Sequence, residues 1–448
     1  MAPIFVSKKN IDLVIDGLEN FLQQTIRAQQ FSAVDMKNFM EPIFSRASYR
    51  DPVTNGRGAV AQSNILILNN GGVGDFIINS AAIREIRRLY PTAHITLVFF
   101  ARAFDLAEVC PYVDEIVPNE QHFAFDDPPM IYRWDMSVAR RLLRRRYDAA
   151  YSFVSQGSTV LLSYMSGAKV RISHKYGVND RAVGAPIDFP LYAVAPLLTV
   201  EVPRNFSGAT HEVEDYLGLL DYTLHAPIAN RELEIWYTPM DRTAAENLLT
   251  EAGGEKFYVL CMGGSAPRKQ WQPDRYAQLV MKILEREPDI KFLILGGGST
   301  DEQSAAIFKQ TLGDRLVNAH VLDLTNRINY RRSAAILRLC DLYIGNDTGT
   351  MHMAAAVKTP VLSPNCFAAD LPMRDDSIPK VFYPCGVPSV IVQPKHALSD
   401  CKGSTESFGC THYERHCIAQ IAVDKMFEGY RRLKERIAAN NIEPLFIS

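Results

Sequence analysis

The chain has 448 residues, 47% of them hydrophobic and 22% charged, which is more than one ordinary core holds and fits two or three. Its formal net charge of −2 excludes a global electrostatic pull toward nucleic acid or an anionic membrane, so any basic acceptor site must be local. No window offers the apolar run of a membrane span; the nearest, Ala185 to Pro203, is broken by Asp188, Glu201 and several prolines.

The N-terminus lacks the basic, apolar, small-residue order of a secretory leader. Eight cysteines are too sparse for a secreted disulfide scaffold. A cytoplasmic protein with reduced thiols is expected. Residues 1–60 read as a helical extension, because Ile11, Val14, Ile15, Leu18, Phe21, Leu22 and Ile26 recur at helical spacing. Asp51 to Gly58 is a turn-rich linker. The pattern then becomes alternating strands and helices. Strands are predicted at Asn64–Leu68, His94–Phe99, Asp114–Val117 and Ala149–Phe153, with helices at Phe76–Tyr90 and Trp134–Arg146. Such alternation implies parallel pairing with right-handed crossovers.

A less regular, proline-bearing stretch runs from Gly184 to Pro239. The alternation then restarts. Strands are predicted at Phe257–Met262, Lys291–Leu295, Leu342–Ile344 and Pro360–Ser363. Helices are predicted at Pro273–Arg286, Asp301–Leu312, Arg331–Leu339 and Thr348–Val357, and a closing helix at Ile418–Ala438. The fold class is therefore α/β, with two Rossmann-like, doubly wound domains. The boundaries predicted are 1–60 for the extension, 61–235 and 236–417 for the two domains, and 418–448 for the closing helix.

Ligands of open α/β sheets bind beyond the carboxyl ends of strands, and three segments lie there. Gly71-Gly72-Val73-Gly74-Asp75 follows the first strand. Its glycines allow close backbone approach, and Asp75 is either the cap of the next helix or a functional carboxylate. The third glycine of a dinucleotide fingerprint is absent, Ile77 standing in its place. Gly263 to Trp271 follows a second-domain strand. It is either a solvated loop or an anion site in which backbone N–H groups, the Ser265 hydroxyl and Lys269 act together. Ile344 to His352 ends a strand and opens a helix. Its Thr348–Met351 amides and positive dipole end suit a phosphate, and His352 lies one turn in. Gly296 and Gly297, with Gly298, leave an open strand edge where a base or ribose can lie flat.

Taken in order, the Gly74-Asp75 turn, the Ser265–Trp271 segment with Lys269, and Asp347-Thr348-Gly349 followed by His352 resemble family 9 of the glycosyltransferases, the heptosyltransferase family. The resemblance covers Asn64 to Arg436; K-Q-W-Q-P-D-R-Y and Asn346–Ala355 are its most specific parts. It implies the GT-B arrangement, an acceptor domain and a donor domain facing a cleft. It implies an inverting glycosyltransferase that needs no metal or other cofactor. The donor implied is a nucleotide-sugar, ADP-heptose foremost, and the acceptor a hydroxyl of a lipopolysaccharide-core glycolipid or another glycan. By position, Asp75 resembles the catalytic aspartate and Lys269 the diphosphate-binding lysine. Ser265, Thr348 and Gly349 resemble phosphate contacts, and Asp347 and His352 donor-site residues. Gly74 falls on the acceptor side. The chain departs from the pattern at Asn69 and Asn70, where relatives often carry a basic residue, and in residues 1–60 and 364–417. An enzyme of this kind is expected in the cytoplasm, with at most a peripheral contact with the cytosolic face of the inner membrane, and with no nucleic-acid partner.

Two features stand outside the resemblance. Arg141 and Arg145 share a helix face and form either a solvated surface or a site for an anionic acceptor. Cys401, Cys410, Cys417, His412 and His416 cluster in sequence without a tight C-x₂₋₄-C pair; packed thiols and a small structural metal site both fit. Transfer to a protein acceptor, a non-catalytic nucleotide-sugar-binding scaffold and a dinucleotide-dependent oxidoreductase or epimerase are the competing functions. Asp75 disfavours the scaffold, and the incomplete glycine pattern disfavours the last two.

Overall fold

A computed structural model describes residues 34, 36–38 and 64–448, apart from 70, 120–135, 154–156, 176–194, 204–210, 265, 372–377, 399–400 and 402–413. The amphipathic helix expected at Ile11–Ile26 lies outside these residues.

Two parallel sheets organise the chain. The first has six strands: β1 (Asn64–Asn69), β2 (His94–Phe100), β3 (Glu115–Asn119), β4 (Ala149–Ser152), β5 (Val170–Lys175) and β6 (Val200–Pro203), in the order β3-β2-β1-β4-β5-β6. The second has seven: β7 (Lys256–Cys261), β8 (Ile290–Ile294), β9 (Val321–Asp323), β10 (Leu342–Gly345), β11 (Val361–Pro364), β12 (Ser389–Val392) and β13 (Pro444–Ile447), in the order β13-β12-β11-β10-β7-β8-β9. Each central strand is an apolar run buried along most of its length, as NILILN and KFYVLC are, because helices cover both faces of a parallel sheet. In register, Ile65 faces Ile95 and Ala149, and Tyr258 faces Phe292 and Leu342. Both sheets have the doubly wound order. Each therefore reverses direction at one point, between β1 and β4 in the first and between β7 and β10 in the second, and a crevice opens there beyond the strand ends.

Several elements differ from the sequence reading. The helix expected at Phe76–Tyr90 is two segments, Val73–Ile78 and Ser80–Leu89, meeting at the fully buried Asn79. The last helix starts at Val423, because Cys417–Gln420 forms a short 3₁₀ turn and Ile421 is extended. Residues 418–448 are not a separate closing unit. β13 extends the second sheet beyond β12, and Met426, Tyr430 and Leu433 of the helix pack into the same core as Leu362, Val390 and Val392.

The stretch between the sheets is a tether. Residues 225–238 carry no helix or strand, and Pro227 to Glu234 lie along the helix Ser80–Leu89. Arg84 donates to the carbonyls of Glu232 and Asn230 at 3.1 and 2.9 Å and to the Glu234 carboxylate at 2.5 Å. Arg88 donates to the Pro227 carbonyl at 2.8 Å, and Glu85 accepts from the Ala229 N–H at 3.0 Å. A second clasp joins the two domains directly. Arg331 donates to Glu108 at 2.9 Å through its guanidinium and to Asp105 at 3.2 Å through its backbone.

Candidate active site

The first switch point carries Asp75. β1 ends at Asn69 and the chain turns at Gly71-Gly72 into the helix Val73–Ile78. A Cβ on Gly71 would lie 2.5 Å from Asp75 Oδ2, so only glycine lets the turn close on the carboxylate. Asp75 is not the helix cap. It is the third helical residue, and its Oδ2 reaches back to accept the Gly72 N–H at 2.7 Å. Burial lifts its carboxyl to about 6; the Gly72 N–H opposes this, Glu212 adds to it and Lys269 opposes it. At neutral pH Asp75 is thus ionised, yet near enough to neutrality to take a proton.

The second switch point carries two loops. After β7, the residues Pro267–Lys269 make a 3₁₀ turn, and Gln270 closes the loop by donating to the Gly264 carbonyl at 3.0 Å. Ser265 lies outside the described residues. Lys269 Nζ stands 3.6 Å from Asp347 Oδ2. The two loops are joined through Asn346, which is fully buried. Its Oδ1 accepts the Trp271 N–H at 3.0 Å and the Tyr276 hydroxyl at 2.8 Å. Its Nδ2 donates to the carbonyls of Met262 and Gly263 at 2.7 and 2.9 Å. One amide thus fixes the ends of β7 and β10 and the start of the lysine loop.

Thr348 is the N-cap of the helix Gly349–Ala356, with no side-chain cap bond among the described residues. The amide of Met351 is already bonded to the Thr348 carbonyl at 3.0 Å. This narrows the expected anion cradle of Thr348–Met351 to its first members. His352 is buried, and its Nδ1 has no hydrogen-bond partner among the described residues. Burial lowers its imidazole to about 4, against the pull of Asp347 and with the help of His211 and Lys269. It is a neutral hydrogen-bonding group at pH 7, not a cation.

These loops meet. A Cβ on Gly74 would lie 3.0 Å from His352 Cδ2, and one on Gly349 would lie 2.8 Å from Val73 Cβ. The Asp75 turn therefore packs directly on the helix that begins at Gly349.

Other expected residues fall elsewhere. At the Gly296–Gly298 edge Gly297 and Gly298 are exposed; the Gly297 N–H goes to Asp301 Oδ2 and the Gly298 N–H to Asn326 Oδ1, both at 2.7 Å. A Cβ on Gly296 would come within 2.8 Å of Asp301 Oδ2. Asp301, whose carboxyl burial pushes upward, is thus what this edge presents. Arg141 and Arg145 pair with Glu115 at 3.5 and 2.9 Å. Glu115 begins β3, and the cleft lies beyond the other ends of these parallel strands, so the geometry does not bring the arginines to Asp75.

Sequence reasoning missed His211 and Glu212, which start the helix Glu212–Leu224. His211 Nδ1 accepts the Val213 N–H at 3.2 Å, so the proton sits on Nε2, which donates to the Tyr383 carbonyl at 2.9 Å. This bond crosses from one domain to the other. No motif marks the pair; the only signal was an acidic run before an apolar helix.

Comparison with known proteins gives the family. The profile of glycosyltransferase family 9 (heptosyltransferase) matches residues 136–364, just over half of the chain. The chain belongs to glycosyltransferase family 9. The matched stretch contains Lys269 and Asp347 to His352 and begins after Asp75. The chain is similar to lipopolysaccharide heptosyltransferase 3 of Escherichia coli K12, 22% identical over 294 residues that span 65% of this chain and 78% of that protein. Among solved structures it is similar to a family 9 glycosyl transferase of Veillonella parvula, with TM-score 0.65 and 16% identity over 85% of this chain and 99% of the other. It is also similar to the E. coli heptosyltransferase WaaC with ADP, with TM-score 0.56 and 15% identity over 85% of this chain and 100% of that one. The fold is that of the GT-B heptosyltransferases, and the enzyme is a glycosyltransferase. Among the described residues, no helix is long and apolar enough to cross a membrane.

Proposed function

We propose that this family 9 enzyme moves a heptose from ADP-heptose to a hydroxyl of a lipopolysaccharide-core glycolipid, with inversion and with Asp75 as the general base. The observation that carries the reading is the packing of the Asp75 turn onto the Gly349 helix. Gly74 against His352 and Val73 against Gly349 put a carboxylate tuned to about 6 beside an anion-ready helix start.

In the proposed step the acceptor oxygen bonds to the anomeric carbon while the bond from that carbon to the diphosphate oxygen breaks on the opposite face. The acceptor proton passes to Asp75 Oδ1, since Oδ2 is held by Gly72. The bonding pair leaves with the nucleoside diphosphate. Its growing charge falls near Lys269 and the amides of Gly349 and Thr350, which cost no reorganisation because they are already in place. Asp347 keeps Lys269 aimed, and neutral His352 lines the site without adding charge. A cation and a helix start then do at the diphosphate what a divalent ion does elsewhere, so no catalytic metal is invoked. The ADP donor is favoured by WaaC, whose structure holds ADP, and the acceptor class by the lipopolysaccharide enzyme it resembles. A lipid acceptor implies work at a membrane surface, with the enzyme bound at most peripherally.

The test is calorimetry of the full chain with ADP-, UDP- and GDP-sugars, followed by nucleotide release with core glycolipid. ADP-heptose should bind best. Lys269→Ala should weaken that binding by about 1.5–3 kcal/mol, the range of a charged hydrogen bond. Preference for a uridine donor, or affinity unchanged by Lys269→Ala, defeats the donor assignment.

A further inference from the structure

The segment that follows β12 and the segment that enters the last helix meet at sulfur, through Cys401 and Cys417. Cys401 and Cys417 are buried, at 6% and 1% exposure. Cys417 Sγ lies 3.2 Å from His416 Nδ1 and accepts the Leu398 N–H at 3.5 Å. One ligand atom from each of Cys401, His416 and Cys417 falls within 4.8 Å of the others.

We propose that Cys401, His416 and Cys417 bind one thiophilic transition ion, zinc or ferrous iron, as a structural clasp under the donor loop. Zinc holds sulfur at about 2.3 Å and imidazole nitrogen at about 2.0–2.1 Å, which places tetrahedral sulfur and nitrogen ligands about 3.5 Å apart. The triad needs only small shifts to reach that geometry. Two thiols and one imidazole are the donor set that selects zinc or iron over calcium or magnesium. Binding releases the two thiol protons to solvent, and the fourth position goes to water or a further protein donor. None of the three residues belongs to the proposed reaction, so the clasp is separate from catalysis.

Its position gives it a purpose. The residues next to the triad hold the lysine loop. Arg415 Nε donates to the Gln270 carbonyl at 2.8 Å, and the Trp271 indole N–H donates to the Ile421 carbonyl at 2.9 Å. Arg275 donates to the carbonyls of Ala419 and Ile421 at 2.5 and 2.8 Å. Lys269 directly precedes Gln270. An ion fixing Cys417 and His416 to Cys401 therefore fixes the strip of backbone on which the lysine loop rests.

The test is elemental analysis of the full chain, purified without chelator from cells grown with zinc and iron salts. About one equivalent of zinc or iron per chain is expected, and the element found decides between the two. Cys417→Ser and Cys401→Ser should lower it at least tenfold, while Cys340→Ser, a buried thiol elsewhere in the same domain, should keep it. If the serine variants do not fold, mercurial titration of the native wild type replaces them, and one ion should leave as its thiols react. Less than a tenth of an equivalent after zinc reloading and dialysis overturns the site, as does full metal content in the Cys401→Ser, Cys417→Ser double variant or metal retained after the thiols have reacted.

Discussion

The two switch points share a topology and solve different problems. At the first, one carboxylate is held by a bond spanning three residues, from Gly72 N–H to Asp75 Oδ2. At the second, two loops are tied through Asn346 to partners 70 to 84 residues away. Accepting a proton asks for one group with a tuned pKa. Gripping a diphosphate asks for several donors in fixed relation, and that demands a network. The carboxylate is thus anchored locally, with burial, Glu212 and Lys269 acting on its pKa, and the donor site is anchored by tertiary contacts, so substitutions at the two should fail differently.

The largest expected effect is at the carboxylate. Asp75→Asn keeps a side-chain oxygen for the Gly72 N–H and loses the proton acceptor. Turnover should fall by about 10²–10⁴-fold, the usual share of general-base catalysis, while donor affinity by calorimetry stays within twofold. In the wild type, kcat/KM should rise with pH through a limb near 6, where Asp75 ionises. His352 titrates near 4 and should add no limb between pH 5 and 8. Near-full activity in Asp75→Asn, or a flat profile across pH 5–7, removes Asp75 from the base role.

The next effect lies in the network. Asn346→Ala leaves the Trp271 N–H, the Tyr276 hydroxyl and the carbonyls of Met262 and Gly263 without their shared partner. Buried groups left unpaired cost about 1–3 kcal/mol each before relaxation, so a loss of roughly 2–4 kcal/mol of stability is expected. Donor affinity should fall with it, although Asn346 is not itself assigned to the donor. A variant with wild-type melting temperature and weakened donor binding would instead make Asn346 a direct ligand and blur the contrast.

This contrast also explains what was legible in the sequence. Long apolar strands such as NILIL and KFLIL stand out by composition, and the loops after them follow from the carboxyl-end rule. The Asp75 turn was readable as a unit because its contacts are local, although cap and third helical residue cannot be told apart by pattern. Asn346 was visible only as part of a motif, since its four partners come together through folding. The pairing of Arg141 and Arg145 with Glu115, and the approach of Cys401 to Cys417, likewise depend on tertiary structure. A helix face or a cysteine spacing does not reveal them.

The smallest effect tests whether Asp75 is held at a cost to the fold. Its folded carboxyl titrates near 6, above the roughly 3.9 of an unfolded aspartate. Between these values the folded state binds more protons than the unfolded one, so stability falls as pH rises. The cost of ionising Asp75 is absent well below pH 4 and complete above pH 6. Asp75→Asn has no charge to desolvate and retains the Gly72 bond. Its melting temperature relative to wild type should therefore rise from pH 4 to pH 8, by a few degrees at most because the group is only partly buried. A difference that is constant with pH means the carboxylate is well solvated, and the limb near 6 in kcat/KM then belongs to another group. A difference that shrinks as pH rises means that Lys269 and the Gly72 N–H outweigh burial. Asp75 would then titrate below its usual range and be a poorer proton acceptor than proposed.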